Sequence, residues 1–189
     1  MNNIAIIVEN RKDIGEVIEQ HKKYLKGWKI EHRVESAVDS AEAYNELLTS
    51  RYFWLSYQEY DNVLIFQHDT GILREGIEEF FGWDYVGAPW KESAPWARKD
   101  RAGGNGGLSL RNAKKALNLI EKLPYRSSYG NEDVYFTKNL EIVGGKVAPY
   151  DVCSKFSVET EYKLGSWGFH AIDKHLTHQQ VKNILQQYD

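Results

Sequence analysis

Asn62-Val63-Leu64-Ile65-Phe66-Gln67-His68-Asp69 is the stretch that decides the fold. Four consecutive apolar residues with no polar alternation suit a strand covered on both faces, and three polar residues end it abruptly. An earlier run, Ile4-Ala5-Ile6-Ile7-Val8, has the same character and ends in Glu9-Asn10-Arg11. Between the two, Asp13 precedes a segment with Ile14, Val17, Ile18, Tyr24 and Leu25, which reads as a helix stopped by Gly27. Trp28 to Val34 reads as a second strand, and Ser40 opens a helix over residues 41–48. Ser-x-x-Ala there lacks the acidic partner of a full capping box, so this is an ordinary helix start. Strand, helix, strand, helix, strand predicts an α/β sheet with right-handed crossovers. Ligands of such sheets collect beyond the carboxyl ends of the strands. Glu9-Asn10-Arg11 and Gln67-His68-Asp69 are therefore the first candidate binding positions.

Composition narrows the class. A length of 189 residues suits one domain, taken as residues 1–189. With 42% hydrophobic and 13% aromatic residues the chain has material for a core, which excludes disorder. A net charge of −3 is too balanced for a nucleic-acid-binding face, so no nucleic acid is expected as a partner. The single Cys153 excludes an intramolecular disulfide, fits a reducing compartment and reads as a small buried residue. No apolar run approaches the roughly 18 residues of a membrane span, and the start lacks a basic n-region or cleavage site. The chain thus reads as soluble and cytoplasmic, without a transmembrane segment. Six Trp and twelve Tyr are explained first by a small core gaining buried area, and second by sugar C–H groups packing on aromatic faces.

The remaining sequence carries the candidate chemistry. Asp84 to Trp90 reads as a short strand running into a turn, and polar Lys91 to Ala102, with Pro95, Lys99 and Arg101, as a mobile surface loop. Gly103-Gly104-Asn105-Gly106-Gly107 lets backbone approach a ligand without Cβ clashes, although the Gly-Lys-Ser/Thr of a P-loop is missing. Leu108 to Arg111 and a helix from about Asn112 to Glu121 follow. Asn131-Glu132-Asp133 opens a further helix. Acidic residues there suit the helix macrodipole, and equally suit a general base fixed at the rim of a cleft. In Trp167-Gly168-Phe169-His170 the histidine is either a satisfied structural residue or a metal ligand. Imidazole, one carboxylate and phosphate oxygens together favour Mn²⁺ over Mg²⁺. A polar C-terminal helix is expected to end at Tyr188.

In this order, Phe66-Gln67-His68-Asp69, Gly87-Ala88-Pro89-Trp90, Gly104 to Arg111, Asn131 to Phe136 and Gly168-Phe169-His170 resemble a family of GT-A-fold glycosyltransferases known mostly as a domain of unknown function. The resemblance runs from Val8-Glu9-Asn10-Arg11 to His170, and the long glycine block with the Glu-Asp block makes it fairly specific. More distantly, the order is similar to that of inverting β-1,4-galactosyltransferase-type enzymes. It implies a nucleotide-diphospho-sugar transferase domain with a central mixed, mostly parallel sheet flanked by helices. It also implies transfer of a hexose from a nucleoside-diphosphate sugar, UDP-sugar by default, to a glycan or other acceptor hydroxyl, with inversion. By position, Asp69 and His170 become ligands of a divalent metal, Mn²⁺ before Mg²⁺. Asp133 becomes the base, with Glu132 as the alternate. Glu9, Asn10 and Arg11 lie near the nucleotide, Gln67 and His68 belong to the donor site, and Asn105, Gly106 and Gly107 lie near the donor sugar.

One position departs from the pattern: Gln67 stands where an Asp-x-Asp motif has its first acid. Metal binding is then weak or absent, and Lys99 and Arg101 are the charges that would neutralise the diphosphate instead. The Lys91–Ala102 loop is expected to order over the donor. The rival reading is a non-catalytic nucleotide-sugar or carbohydrate-binding module that has kept the fold. A hydrolase or phosphatase is disfavoured, since there is no Gly-x-Ser-x-Gly elbow and no Asp-x-Asp nucleophile pair.

Overall fold

The computed structural model describes residues 1–35 and 40–187; the Tyr188 end of the expected C-terminal helix lies outside them. The chain opens with strand β1 (Asn3–Val8), helix α1 (Gly15–Tyr24), β2 (Lys29–Arg33), α2 (Ala41–Leu48), α3 (Arg51–Leu55) and β3 (Asn62–Phe66). β1 pairs in parallel with β2 on one side and β3 on the other. Side chains of β1 and β3 alternate between two cores. Ile4, Ile6, Val8, Val63 and Ile65 enter one, and Ala5, Ile7, Leu64 and Phe66 enter the other. Burial on both faces is why these strands carry continuous apolar runs. Ser40 caps α2 by accepting from the Ala43 N–H (3.1 Å), and Gly27, at φ +81°, lies just beyond α1.

A short β4 (Thr70–Ile72) follows, then β5 (Tyr85–Ala88), β6 (Asn105–Arg111), α4 (Ala113–Lys122), α5 (Glu132–Asn139) and α6 (Tyr150–Phe156). β6 pairs antiparallel with both β3 and β5, giving a central sheet ordered β2-β1-β3-β6-β5. The sheet is mixed and flanked by helices, with parallel pairing confined to β1, β2 and β3. The chain closes with β7 (Ser157–Val158), β8 (Gly168–His170), α7 (Ile172–His175) and α8 (His178–Leu185). β4, β8 and β7 form a separate three-stranded sheet over its own small core of Leu73, Val158, Ile172, Val181 and Ile184. Its register sets Thr70 opposite His170, so the chain just after β3 meets the end of β8. Among the described residues no helix is long and apolar enough to cross a membrane.

Two expectations change. The glycine block is part turn and part strand, because β6 already begins at Asn105. Gly104, at φ +134°, lies so close to β5 that a Cβ would sit 2.0 Å from the Ala88 carbonyl oxygen, so only glycine fits. The Lys91–Ala102 segment is not a loose loop. Arg98 donates to the Thr137 carbonyl and pairs with Asp100 and Glu141, while Arg101 donates to the Trp90 carbonyl and pairs with Glu161. Arg101 also stacks 4.0 Å from the Tyr150 ring centre. Arg98 and Arg101 are thus engaged with protein.

Candidate active site

The carboxyl ends of β1 and β3, the start of β6 and the N-termini of α2 and α5 surround a cavity of about 370 Å³. Its wall includes Glu9, Arg11, Gln67, His68, Asn105, Gly106, Gly107, Glu132, Asp133 and His170. Residues from five separated parts of the sequence thus share one space. Asn10 and Asp69 are not on that wall. Asn10 instead accepts the Glu35 N–H (3.1 Å), and Asp69 sits behind His170. No residue of the 91–102 segment lines the cavity. Arg101 is held by Glu161 and Tyr150, so it is not placed to neutralise a ligand there, and Lys99 is not on the wall either.

At the β1 end, Glu9 organises the entrance. One of its carboxylate oxygens accepts the Asn10 and Arg11 N–H groups (3.0 and 3.1 Å), and the other lies 3.3 Å from His68 Nδ1. Arg11 remains 58% exposed, with Glu9 at 3.8 Å, so a cation stands at the mouth with little to hold it.

Asp133 lies at the opposite side, in the first turn of α5. It accepts the Gly106 N–H at 3.1 Å and the Val134 N–H at 2.7 Å. Burial raises its carboxyl, the neighbouring Glu132 charge raises it further, and the two N–H groups with Arg111 oppose them; the balance lies at about 7. The two acidic residues differ in kind. Glu132 is in a buried bidentate pair with Arg111 (2.5 and 2.9 Å), and its N–H donates to Asn45 Oδ1. With both oxygens engaged by a guanidinium, Glu132 is not free to take a proton, whereas Asp133 holds a carboxyl that titrates near neutrality at the cavity wall.

The bare Cα atoms of β6 make room for these groups. A Cβ on Gly106 would lie 2.2 Å from Glu132 Oε1, and one on Gly107 would lie 2.3 Å from the His170 ring. The two glycines therefore admit an ion pair and an imidazole, in addition to forming part of the wall.

His170 lies between carboxylates. Its Nε2 is 3.0 Å from Gln67 Oε1 and 3.3 Å from Asp69 Oδ1, and its Nδ1 is 3.3 Å from Glu159 Oε1 in an ion-pair contact without hydrogen-bond geometry. Burial disfavours its charge, yet Asp69 and Glu159 raise it to about 9. Burial would likewise raise Asp69, but His170 and Lys174, the latter at 2.7 Å, outweigh it and hold the carboxyl well below the usual range. Does this set fit a divalent cation? Asp69 Oδ1 is buried without a hydrogen-bond partner, and imidazole nitrogen, carboxylate oxygen and amide oxygen converge around it. A carboxylate behind the other ring nitrogen is the usual support of a metal-ligating histidine. Among the described residues no group of three or more His, Cys, Asp and Glu could hold a metal. The set therefore fits a cation that brings phosphate oxygens as further ligands, and does not fit a closed protein-only site.

Sequence reasoning missed several wall and support residues. The Tyr44 hydroxyl is buried in the cavity wall without a hydrogen-bond partner, and Asn45 of α2 bridges to Asn131 (3.2 Å). Arg111 and Glu159 act from behind. Arg111 is the last residue of β6, and its charge at the end of the apolar Leu108–Leu110 stretch is the signal that could have found it; Tyr44, Asn45 and Glu159 carry no local signal.

Comparisons with known proteins agree with this architecture. Residues 27–170 match the family described as "Protein of unknown function (DUF5672)". No curated protein matches the chain. Among solved structures, a glycosyltransferase involved in glycosylation of the major capsid of PBCV-1 superposes with TM-score 0.56 at 13% identity, covering 99% of this chain and 98% of that one. The glycosyltransferase GlyE of Streptococcus pneumoniae TIGR4 gives TM-score 0.56 at 12% identity, covering 100% of this chain but 60% of that one. At such identities the likeness establishes a glycosyltransferase-like fold and nothing finer.

Proposed function

We propose that this chain, which belongs to the DUF5672 family, transfers a sugar from a nucleoside-diphosphate sugar to an acceptor hydroxyl with inversion. One observation carries the reading: Asp133, a buried carboxyl balanced near neutral pH, stands on the wall of a cavity at the carboxyl ends of β1 and β3. The ideal general base has a proton affinity close to the working pH. Asp133 takes the proton of the acceptor hydroxyl as its oxygen forms the bond to the anomeric carbon. The bond from that carbon to the diphosphate oxygen breaks, and its electron pair leaves with the diphosphate.

The nucleotide, UDP by default, lies against Glu9, Arg11 and His68, and the donor sugar lies over Asn105, Gly106 and Gly107. Arg11 supplies positive charge at the mouth. The Tyr44 hydroxyl, buried in the cavity wall beside Gln67, offers a hydrogen bond to a bound oxygen. His170, Gln67 and Asp69 would hold a divalent cation, Mn²⁺ rather than Mg²⁺ because imidazole is in the set, and it would neutralise charge on the leaving diphosphate.

The pairing of Asp69 with Lys174 favours a second reading, a nucleotide-sugar- or carbohydrate-binding module without transfer activity. Calorimetry with a nucleotide panel, with and without Mn²⁺, followed by donor hydrolysis and transfer assays, decides between them. Binding without hydrolysis or transfer under any condition supports the module. No binding of any nucleotide or nucleotide sugar overturns the transfer reading, and no binding of carbohydrate either overturns both.

A further inference from the structure

A second groove opens beside the catalytic cavity. It runs between α2 and the segment from Pro124 to Asn131, encloses about 720 Å³, and shares Ala41, Asn45 and Asn131 with the first cavity. We propose that this groove seats the acceptor, and that the acceptor is a neutral oligosaccharide. The inference rests on the glycosyl-transfer reading above and adds the acceptor's place and class.

Continuity gives the place. An acceptor hydroxyl must reach Asp133, and Asn131, two residues earlier, stands on the wall of both spaces. The nucleotide end of the first cavity, at Glu9 and Arg11, does not line the second. A donor and an acceptor can therefore meet at Asn131 and Asp133 while extending in different directions. The Asn45–Asn131 side-chain bond forms the sill between the two spaces, and no hydrogen bond among the described residues uses the Asn131 amide nitrogen.

Chemistry gives the class. Glu42 and Glu46 stand one helical turn apart on α2, both on the groove wall, and neither has an ion-pair partner among the described residues. Like charges at this spacing cost helix stability, so their position is not explained by the helix. Burial raises the Tyr125 hydroxyl most, Glu132 next, and Glu46 and Glu42 add to the rise. Arg126 adds a cation on the same wall. Carboxylates, a guanidinium, side-chain amides and an aromatic residue in one groove offer both donors and acceptors, with no dominant sign. That mixture suits a chain of hydroxyls better than a strongly basic or acidic polypeptide.

The experiment reads glycan binding without donor and transfer with it. The intact protein, E42A/E46A, R126A and D133N are each titrated against an array of neutral oligosaccharides, with a lysine-rich peptide alongside. Expected is binding of neutral oligosaccharides that D133N retains and that E42A/E46A and R126A weaken at least tenfold, at unchanged melting temperature. In transfer assays the same groove variants raise the acceptor KM tenfold or more. Binding of oligosaccharides unaffected by the groove variants overturns the place. Binding of the lysine-rich peptide instead, lost in high salt, overturns the class. An absence of oligosaccharide binding and of any acceptor-KM effect overturns both. Failure of the transfer reading shows separately, as absence of nucleotide-sugar binding and hydrolysis by the intact protein while oligosaccharides still bind.

Discussion

Arg111 and Glu132, 21 residues apart, form a bidentate ion pair that is almost wholly shielded from water and packed against the bare Cα of Gly106. The Arg111 guanidinium lies beside the Tyr85 and Phe136 rings, 5.0 and 5.4 Å from their centres. The pair ties β6 to the first turn of α5 and so sets where Asp133 stands. Removing one partner of a buried pair leaves an uncompensated charge, a loss of about 3–5 kcal/mol. R111M and E132M should each lower stability by that order in denaturant unfolding. An R111M/E132M double variant should recover most of the loss, and a double cycle showing simple additivity would disprove the coupling.

Asp133 should give a pH profile of one sign. Its folded value of about 7 lies above its ordinary value, and only the ionised form can accept a proton. The rate under kcat/KM conditions should rise through pH 7 and level off above it. D133N should lower kcat by about 10²-fold or more while leaving donor affinity near normal.

The same carboxyl should cost stability. A group whose folded value is raised favours folding only where it is protonated, so its contribution fades as pH climbs from about 4 through 7. At pH 8 D133N should therefore be more stable than the parent by about 1–3 kcal/mol, and at pH 4 the two should converge. Thermal melts at the two pH values test this, and an equal gap at both would exclude it.

Gly107 should not accept a methyl group. The His170 ring occupies the space a Cβ needs, so G107A displaces the imidazole from Gln67 and Asp69. Overpacking of this kind costs about 1–3 kcal/mol. The histidine ring signals should move in NMR spectra of the variant, and transfer should fall with them.

His21 sets an acid limit independent of the cavity. It is fully buried in α1, stacked 4.2 Å from the Phe66 ring, and burial lowers it to about 4 against a bond to the Val17 carbonyl. A depressed histidine supports the fold fully above its unfolded value near 6.5 and less as pH falls toward 4. The loss approaches about 3 kcal/mol over that window. H21L should flatten the stability curve between pH 6.5 and 4 while lowering it at pH 8.

The first third of the fold was legible because both faces of β1 and β3 are covered, which leaves continuous apolar runs and clear helical periodicity between them. The antiparallel join of β6 to β3 was not, since strand direction leaves no mark on a short apolar run such as Leu108-Ser109-Leu110. Glu132 and Asp133 are equivalent as letters at a helix start. Only the long-range approach of Arg111 separates a committed carboxylate from a titratable one. Arg98 and Arg101 show the same limit in the other direction: a polar stretch reads as loose until its ion-pair partners, Glu141 and Glu161, are brought in by folding. Glu42 and Glu46 fall within the helix expected over residues 41–48, and only the neighbouring 124–131 segment makes their face a wall.

His170 reaches its partners through a sheet whose strands are three, three and two residues long. Few hydrogen bonds hold that register, and its core is separate from the two that support the five-stranded sheet. Such a unit can open by itself at a free energy below that of the whole chain. A slip of one residue would turn the imidazole to the opposite face. Heat should therefore inactivate before it denatures, with amide protons of residues 168–170 exchanging ahead of those in β1 and β3.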